Sequence, residues 1–300
     1  MSPAIPALPE SKRFSASGRA PAAILRIAAT ALAGSLVCAA MVRFSPGFAM
    51  DETQLDTRIS PATRQALARS YDAERNIWSF SFTYLKQALR GNLGVSQSLN
   101  RPIAGLLEER APVTARIMAW GIAGAWFLAM AMALVPPLFR LPALGAAFTL
   151  LSGLAAALPA AAIAIVLFRL GGAAPATISL ILFPKLYYYL RNLVRQSYNL
   201  PHVLLARAKG LGPWRILLRH VLPSAGPQMI ALAAVSVNMA FGAAIAVEAI
   251  CDLPGLGQLA WKAALARDLP VLVVLTMIIT VVTQLANLMA DACTPARSRA

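Results

Sequence analysis

The stretch ARAKGLGPWRILLRHVLPSA, residues 206–225, decides the fold, because it is basic, lacks acidic residues and lies between two long apolar runs. Pro201, just upstream, predicts the start of a short helix. Gly210 suits the end of that helix, since glycine adopts the left-handed conformation in which helices often finish. Pro213 suits the first position of a second helix, and Pro223 predicts a bend or stop where the next apolar run begins. The stretch therefore predicts a helix–turn–helix.

Six apolar runs, bounded by charged residues, surround this stretch. The chain has 58% hydrophobic and only 13% charged residues, whereas soluble domains carry about a quarter charged residues. Runs of about 18 or more apolar residues predict transmembrane helices. The runs are Ile27–Val42, Ile117–Phe139, Leu141–Phe168, Leu170–Leu190, Val221–Val247 and Leu269–Ala290. The fold class is therefore predicted to be all-α and polytopic, with six transmembrane helices, and Pro159 is expected to kink the third.

The composition excludes several classes of function. The formal net charge of +15 is compatible with an anionic membrane surface or with nucleic acid, but the apolar runs are too long for a soluble nucleic-acid-binding domain. Cys38, Cys251 and Cys293 are scattered, and His202 and His220 are far apart. We therefore expect neither a metal site nor a cofactor. The chain contains no GxxxxGK[ST] phosphate-binding loop and no GxSxG motif, so it is not expected to be an enzyme.

The distribution of Lys and Arg predicts that both termini are cytoplasmic, because short cytoplasmic loops carry an excess of these residues. The predicted organisation is a cytoplasmic tail (1–23), a first transmembrane helix (24–42), an extracytoplasmic subdomain (43–112), a five-helix core (113–292) that includes a cytoplasmic loop (200–223), and a cytoplasmic tail (293–300). A cleaved signal peptide, with Cys38-Ala39-Ala40 as its cleavage site, is the alternative for the N-terminus.

The extracytoplasmic subdomain is predicted to contain short helices. Ser60 and Pro61 form a helix-start signal before the helix formers of residues 60–72. Residues 77–91 predict an amphipathic helix that ends at Gly91. A further helix is expected to run along the membrane surface and to bend at Pro112 before the second span. The subdomain is either a solvated connector or a contact surface for an external partner.

Residues 206–225 resemble the cytoplasmic coupling loop, or EAA loop, of bacterial ABC importer permeases. The sequence ARAKGL resembles that of the dipeptide/oligopeptide/nickel branch of the family. The resemblance continues in order through FSPGF (44–48), LRGNLGVSQSLNRPI (89–103), VEAICDLPGLGQL (247–259), RDLPV (267–271) and NLMAD (287–291), and covers about residues 24–292. The usual acidic residue of the loop is Leu204 here, and the aromatic position after Ile250 is Cys251. The resemblance implies the type I importer permease fold.

The resemblance also implies partners and site residues. The chain would be the permease subunit of an ATP-driven, binding-protein-dependent importer in the bacterial inner membrane, with peptides as the expected solute. A second homologous permease, two ATP-binding subunits and an extracytoplasmic solute-binding protein would complete it in the lipid bilayer, and no nucleic acid is involved. The residues implied to couple to the ATPase are Ala206, Arg207, Ala208, Lys209, Gly210, Leu211, His220, Leu222 and Pro223.

Two charged residues within or at the end of apolar runs are candidates for the transport pathway. Lys185 lies inside the fourth run, and ionisable residues within membranes are often functional. Glu248 ends the fifth run and matches a position of the family. Two other classes of function stay open at this point: an ATPase-independent secondary transporter or channel, which would be expected to show intramembrane carboxylates, and a membrane scaffold that has lost transport, suggested by Leu204.

Overall fold

Each of the six apolar runs is helical in the computed structural model, which describes residues 19–43 and 91–293, with side chains in 25–41 and 91–292. The helices are α1 (Arg19–Arg43), α2 (Ile103–Phe139), α3 (Pro142–Ala157), α4 (Ala160–Arg169), α5 (Ala174–Tyr198), α6 (Pro201–Ala208), α7 (Pro213–Ile216), α8 (Leu222–Ile250), α9 (Leu256–Leu265) and α10 (Leu269–Cys293). A π-helical turn, Leu217–Val221, joins α7 to α8. The described part contains one isolated β-bridge and no strand, which confirms the all-α prediction there.

Within residues 19–43 and 91–293, three helical runs are long and apolar enough to cross a membrane on their own: α2, the run from α7 through α8, and α10. The third apolar run differs from the predicted kinked span, because α3 and α4 meet at 96° and count at most as one broken span. Pro159 lies at this break with extended backbone angles, and its ring and missing N–H prevent α3 from continuing. The described apolar part of α1, Leu25–Met41, is shorter.

Helix α2 begins earlier than the sequence predicts. It starts at Ile103 and runs without interruption to Phe139, so Pro112 lies inside it. Proline is tolerated within transmembrane helices because neighbouring groups satisfy the freed backbone carbonyl. The last ten residues of the predicted subdomain 43–112 therefore belong to the same helix as the second span. The described residues do not include the helix predicted over 60–72, residues 77–90 of the next predicted helix, or residues 1–18 of the predicted tail 1–23, whose last residues belong to α1.

The pair α2–α5 is held by small residues on one helix and large residues on the other. On α2 the buried residues recur at every fourth position, which brings the two backbones close together. The facing residues of α5 follow the same spacing. The small residues are Gly121, Ala125, Ala129 and Ala133, and the large ones are Ile178, Leu182, Leu186 and Leu190. Ser179 Oγ also donates a hydrogen bond to Gly121 O at 2.9 Å.

A second apolar cluster joins α1, α9, α10 and the start of α2. At its edge the buried Asp268 holds the segment before α2 against the start of α10. Asp268 Oδ2 accepts hydrogen bonds from Ser96 Oγ at 2.6 Å, Ser98 N at 2.9 Å and Ser98 Oγ at 2.8 Å. Its Oδ1 accepts one from Val271 N at 3.3 Å. Two segments that the sequence places far apart, GVSQS and RDLPV, are therefore one structural unit.

Candidate functional site

The basic stretch of residues 206–225, together with the residues just before it, forms two helices around a glycine turn, as predicted. Helix α6 begins at Pro201 and ends at Ala208. Gly210 follows with φ of +74°, in the left-handed region that glycine adopts without steric cost. Gly212 then takes extended angles before Pro213, the first residue of α7. The local helix starts and stops are thus fixed by glycine and proline.

Pro223 does not stop the second helix, so of the two predicted outcomes, a bend or a stop, the stop is wrong. The chain is helical from Pro213 to Ile250 and passes through Pro223 in the first turn of α8. The π-helical turn before it explains this, because Leu222 N donates to Leu217 O, five residues back. The wider turn makes room for a proline ring that would otherwise collide with the carbonyl four residues earlier. The loop is therefore continuous with the span that follows it.

One face of the loop is packed firmly against the ends of α2 and α5. Five of its apolar side chains are buried, and they contact three buried residues of the two longer helices. The loop residues are Val203, Ala206, Ile216, Leu217 and Val221, and their partners are Leu138, Val194 and Tyr198. The guanidinium carbon of Arg207 lies 4.9 Å from the centre of the Tyr198 ring, a cation–π contact. The loop and the two helices therefore share one packed apolar cluster.

The opposite face of the loop is exposed and combines apolar with cationic side chains. Leu204 is 49% exposed and Trp214 is 56% exposed, and the edge of Trp214 contacts Phe139. The remaining exposed residues of this face are Leu205, Lys209, Arg215, Leu218 and Arg219. Exposed apolar surface on this scale is typical of an interaction site. We call these seven loop residues the exposed face of the loop.

The other predicted coupling residues are distributed over the same segment. Ala206 is buried, Ala208, Gly210 and Pro223 are exposed, and Leu211, His220 and Leu222 are half-buried. The structure adds a contact that the sequence did not indicate. Ser224 Oγ lies 3.1 Å from His202 Nε2 and donates to His220 O at 2.7 Å, so α6 is tied to the start of α8. The partners are 22 residues apart, and no local pattern pairs them.

Glu248 is fully buried, with 0% exposure, and its carboxylate accepts hydrogen bonds from the start of α9. Its Oε2 accepts hydrogen bonds from Gly257 N at 2.7 Å and Gln258 N at 3.3 Å. Its Oε1 accepts one from Thr114 Oγ1 at 2.7 Å, and that hydroxyl accepts from Leu256 N at 2.7 Å. The first amides of a helix lack internal partners and attract negative charge.

This bonding favours a structural role for Glu248, and the prediction that it lines a transport pathway stays a prediction. Gly257 permits the close approach. A Cβ there would lie 2.7 Å from Ile245 Cα and 2.9 Å from Glu248 Oε2. The carboxylate of Glu248 occupies the space beside the PGLG segment (254–257), which explains why glycines stand there.

Lys185 lies on an exposed polar stripe of α5. Tyr189, Asn192 and Gln196 share its face at spacings of three and four residues, and all four side chains are exposed. Tyr187 and Tyr188 point elsewhere, since their hydroxyls lie 3.1 Å from Thr149 Oγ1 and Thr149 O of α3. The three consecutive tyrosines thus divide between packing and the exposed stripe.

Metal ligands are not gathered in the described part of the chain, where no three His, Cys, Asp or Glu side chains lie together. The candidate site consists of the exposed face of the loop at one end of the bundle and the polar stripe along α5.

Residues 114–299 match the family model of the binding-protein-dependent transport system inner membrane component. A Brucella suis biovar 1 protein that is named as a peptide permease is 26% identical over 290 residues, covering 87% of this chain and 91% of the relative. The dipeptide transport system permease protein DppB of Lactococcus lactis subsp. cremoris is 23% identical over 256 residues, covering 79% and 84%.

A solved structure shows the same fold. A chain of the methionine ABC transporter MetNI, in an inward-facing conformation, superposes with a TM-score of 0.55 at 17% identity, covering 64% of this chain and 98% of that one. The family match spans more than half of the sequence. The chain therefore belongs to the family of binding-protein-dependent transport system inner membrane components, and it is a non-enzymatic permease subunit of an ABC importer, in which ATP hydrolysis lies in separate subunits.

Proposed function

We propose that residues 201–223 dock on an ATP-hydrolysing subunit and transmit its movement to α2 and α5. The observation that carries this proposal is the division of the loop into two faces. One face is buried against Leu138, Val194 and Tyr198, while the exposed face of the loop is apolar and cationic. A segment held rigidly on one side and unpaired on the other suits force transfer between subunits. Ala206 to Leu211, together with His220, Leu222 and Pro223, are the proposed coupling residues.

Leu204 gives this docking surface an unusual character. An apolar side chain stands where the family resemblance expects a carboxylate, and it is exposed. We propose that the contact with the ATPase subunit relies on apolar burial around Leu204 and Trp214, with the neighbouring cations facing acidic residues of the partner. Burying an exposed leucine side chain is worth roughly 1.5–3 kcal/mol, so the missing carboxylate does not by itself argue for a scaffold without transport activity.

The loop predicts a test of coupling through Gly210. Valine at this position is expected to reduce recovery of the ATPase subunit at least fivefold. A β-branched residue at positive φ costs roughly 1–2 kcal/mol or more, and relief of that strain re-aims α7. The measurement is co-purification of the ATPase subunit with the permease, at matched amounts in the membrane.

Two further variants make this test specific. Gly212→Val places the same side chain two residues away, where φ is −63°, and should retain the partner. Gly210→Asn should recover part of the binding, because asparagine tolerates the left-handed region. Equal recovery and equal transport in all variants would reduce the loop to a simple connector. A permease that transports without any ATPase subunit would instead favour a secondary transporter or channel.

We further propose that both termini are cytoplasmic and that residues 43–112 face outward. The excess of Arg and Lys in the loop supports this orientation. The Gly210 experiment bears on it as well, because ATP-hydrolysing subunits bind from the cytoplasm. In this orientation an extracytoplasmic solute-binding protein delivers the solute near residues 43–112.

We propose that a second, homologous permease covers the polar stripe of α5. A lysine facing lipid at mid-membrane costs about 2.5–3.5 kcal/mol on insertion scales, so Lys185, Tyr189 and their neighbours are better placed against another subunit and a water-filled pathway. Lys185 is the proposed pathway residue, where its ammonium group would attract the carboxylate of a solute. Glu248 is retained as a second candidate for a residue of the transport pathway.

Short peptides are the proposed solute. Two relatives that span most of the chain are named for peptide or dipeptide transport, and the lysine on the polar stripe suits the carboxylate that every free peptide carries. We expect the cognate solute-binding protein to bind short peptides in a calorimetric titration. Tight binding of a nickel chelate or a sugar, with no heat from any peptide, would contradict this choice.

A further inference from the structure

Arginines line a cavity of about 570 Å³ at the end of the bundle where α2, α3, α5 and α6 meet. Its wall includes Arg140, Arg191, Arg195 and Arg207, together with Tyr198 and Asn199. None of the described residues that line it is acidic. The guanidinium group stays charged at every physiological pH, so four fixed positive charges face one space.

The arginines of the cavity have no carboxylate partner among the residues that the structure describes. The ion pairs Arg101–Glu109 and Lys262–Asp252 lie near the other end of α2 and after the far end of α8. The guanidinium group of Arg207 lies over the face of the Tyr198 ring, and a ring does not neutralise a charge. The cavity therefore has a strong positive potential, which an anionic ligand would balance.

The other half of the cavity is apolar. Met132, Pro136, Leu141 and Ala146 line it. Next to it, α3 presents exposed leucines, of which Leu150 is 67% exposed, as expected for a helix in contact with hydrocarbon. The cavity is thus basic on the side of the loop and apolar on the side of the membrane.

From this division we propose that the cavity binds the headgroup of an anionic phospholipid, with its phosphate on the arginines and its glycerol and upper acyl chains against α3. Arginine binds phosphate oxygens in pairs, through two parallel N–H donors. Arg140 directly follows the end of α2 at Phe139, so the arginines lie at the level where a span leaves the hydrocarbon. Basic pockets between transmembrane helices are known to suit such headgroups.

A lipid explains the cavity better than the two other sources of negative charge. A free phosphate ion would use the arginines and leave the apolar half unfilled. Acidic side chains of an ATPase subunit would reach the exposed face of the loop, whereas Arg191 and Arg195 lie on α5, behind the loop. The proposal requires only that these helices end at a membrane surface, so its failure would leave the proposed coupling function standing.

A bound lipid would also stiffen the junction of α5 and α6. Arg191 and Arg195 belong to α5, and Arg207 belongs to α6, so one phosphate group would bridge the span and the loop. We therefore expect an anionic lipid to raise the melting temperature of the purified full-length chain more than a zwitterionic lipid does.

The test is native mass spectrometry of the full-length chain in detergent micelles, titrated with phosphatidylglycerol or with phosphatidylcholine. The wild type is expected to retain phosphatidylglycerol about tenfold more tightly. Arg191→Gln combined with Arg195→Gln should lose that preference, since each arginine near a membrane surface contributes about 1 kcal/mol to binding of anionic lipid. Arg215→Gln combined with Arg219→Gln removes the same charge outside the cavity and should change the affinity less than about threefold.

Additional variants and competitors distinguish the sources of the anion. Arg191→Lys keeps the charge without the paired donors and should weaken phosphatidylglycerol binding to an intermediate degree. Inorganic phosphate at millimolar concentration should not displace the lipid. Equal phosphatidylglycerol binding by the cavity variant and its control would overturn the proposal. So would full displacement by phosphate, or loss of the ATPase subunit from the cavity variant with its lipid binding unchanged.

Discussion

Glu248→Ala is expected to lower the melting temperature of the purified chain by roughly 10 °C. The substitution leaves the buried amides of Gly257 and Gln258 without their acceptor and removes the partner of Thr114 Oγ1. Each buried donor left unsatisfied costs about 1–3 kcal/mol, which gives a total of about 4 kcal/mol. For a chain of this size, 1 kcal/mol corresponds to roughly 2–4 °C. The measurement is thermal unfolding in detergent, followed by tryptophan fluorescence.

The control for this prediction is Glu108→Ala, which removes an exposed carboxylate from α2 and should shift the midpoint by no more than about 2 °C. The pair also separates the two roles considered for Glu248. If Glu248→Ala has the same melting temperature as Glu108→Ala but abolishes transport, Glu248 belongs to the pathway. The assignment of a structural role to Glu248 is then wrong. A destabilised protein whose residual transport follows the amount of folded permease supports the structural role.

Gly121→Leu is expected to separate α2 from α5 and to leave little monodisperse protein after extraction from the membrane. A Cβ at this position would lie 2.6 Å from Ile178 Cγ2 and 2.7 Å from Ile178 Cβ, closer than unbonded carbons approach. Overpacking of a close interface costs about 1–3 kcal/mol or more. The hydrogen bond from Ser179 Oγ to Gly121 O would be lost as well. Size-exclusion chromatography at matched expression measures the effect.

Two variants sharpen this second prediction. Ala123→Leu places the same side chain two residues away, on an exposed position of α2, and should extract like the wild type. Gly121→Leu combined with Ile178→Ala opens space opposite the new side chain and should recover part of the folded protein. Equal yields from Gly121→Leu and Ala123→Leu would mean that the small residues of α2 do not hold the pair together.

The sequence was most informative where structure depends on neighbouring residues. The Pro201 start, the Gly210 turn and the Pro213 start are local properties of the backbone, and the structure has all three. The two largest differences also involve proline. At Pro159 the bend is far sharper than a kink, and at Pro223 the helix continues, because its outcome depends on the π-helical turn before it. A proline therefore indicates where helix geometry changes, and the turns around it determine whether the helix bends, stops or continues.

The contacts of the candidate site were less predictable, because they join residues that are far apart in the chain. Glu248 and Thr114 are 134 residues apart, and the arginines of the cavity come from α5, α6 and the residue that follows α2. The place of Glu248 at the end of an apolar run made it a candidate, but the sequence did not indicate which groups it contacts. The packing of α2 against α5 had a local signal in Gly121 and the alanines at every fourth position. That pattern identifies a close helix contact without identifying the partner helix.

The length of α2 has a mechanical consequence. Its 37 residues span about 55 Å at 1.5 Å per residue, well beyond the roughly 30 Å of a bilayer core. One end is fixed to the loop through Leu138, and the other carries Ile103 and Leu106 into the cluster with α9 and α10. If the helix tilts about one end as a rigid rod, a rotation of about 5° displaces the other end by about 5 Å. A small rotation that begins at one membrane surface thereby becomes a large displacement at the opposite surface. The packing inside the helix does not change.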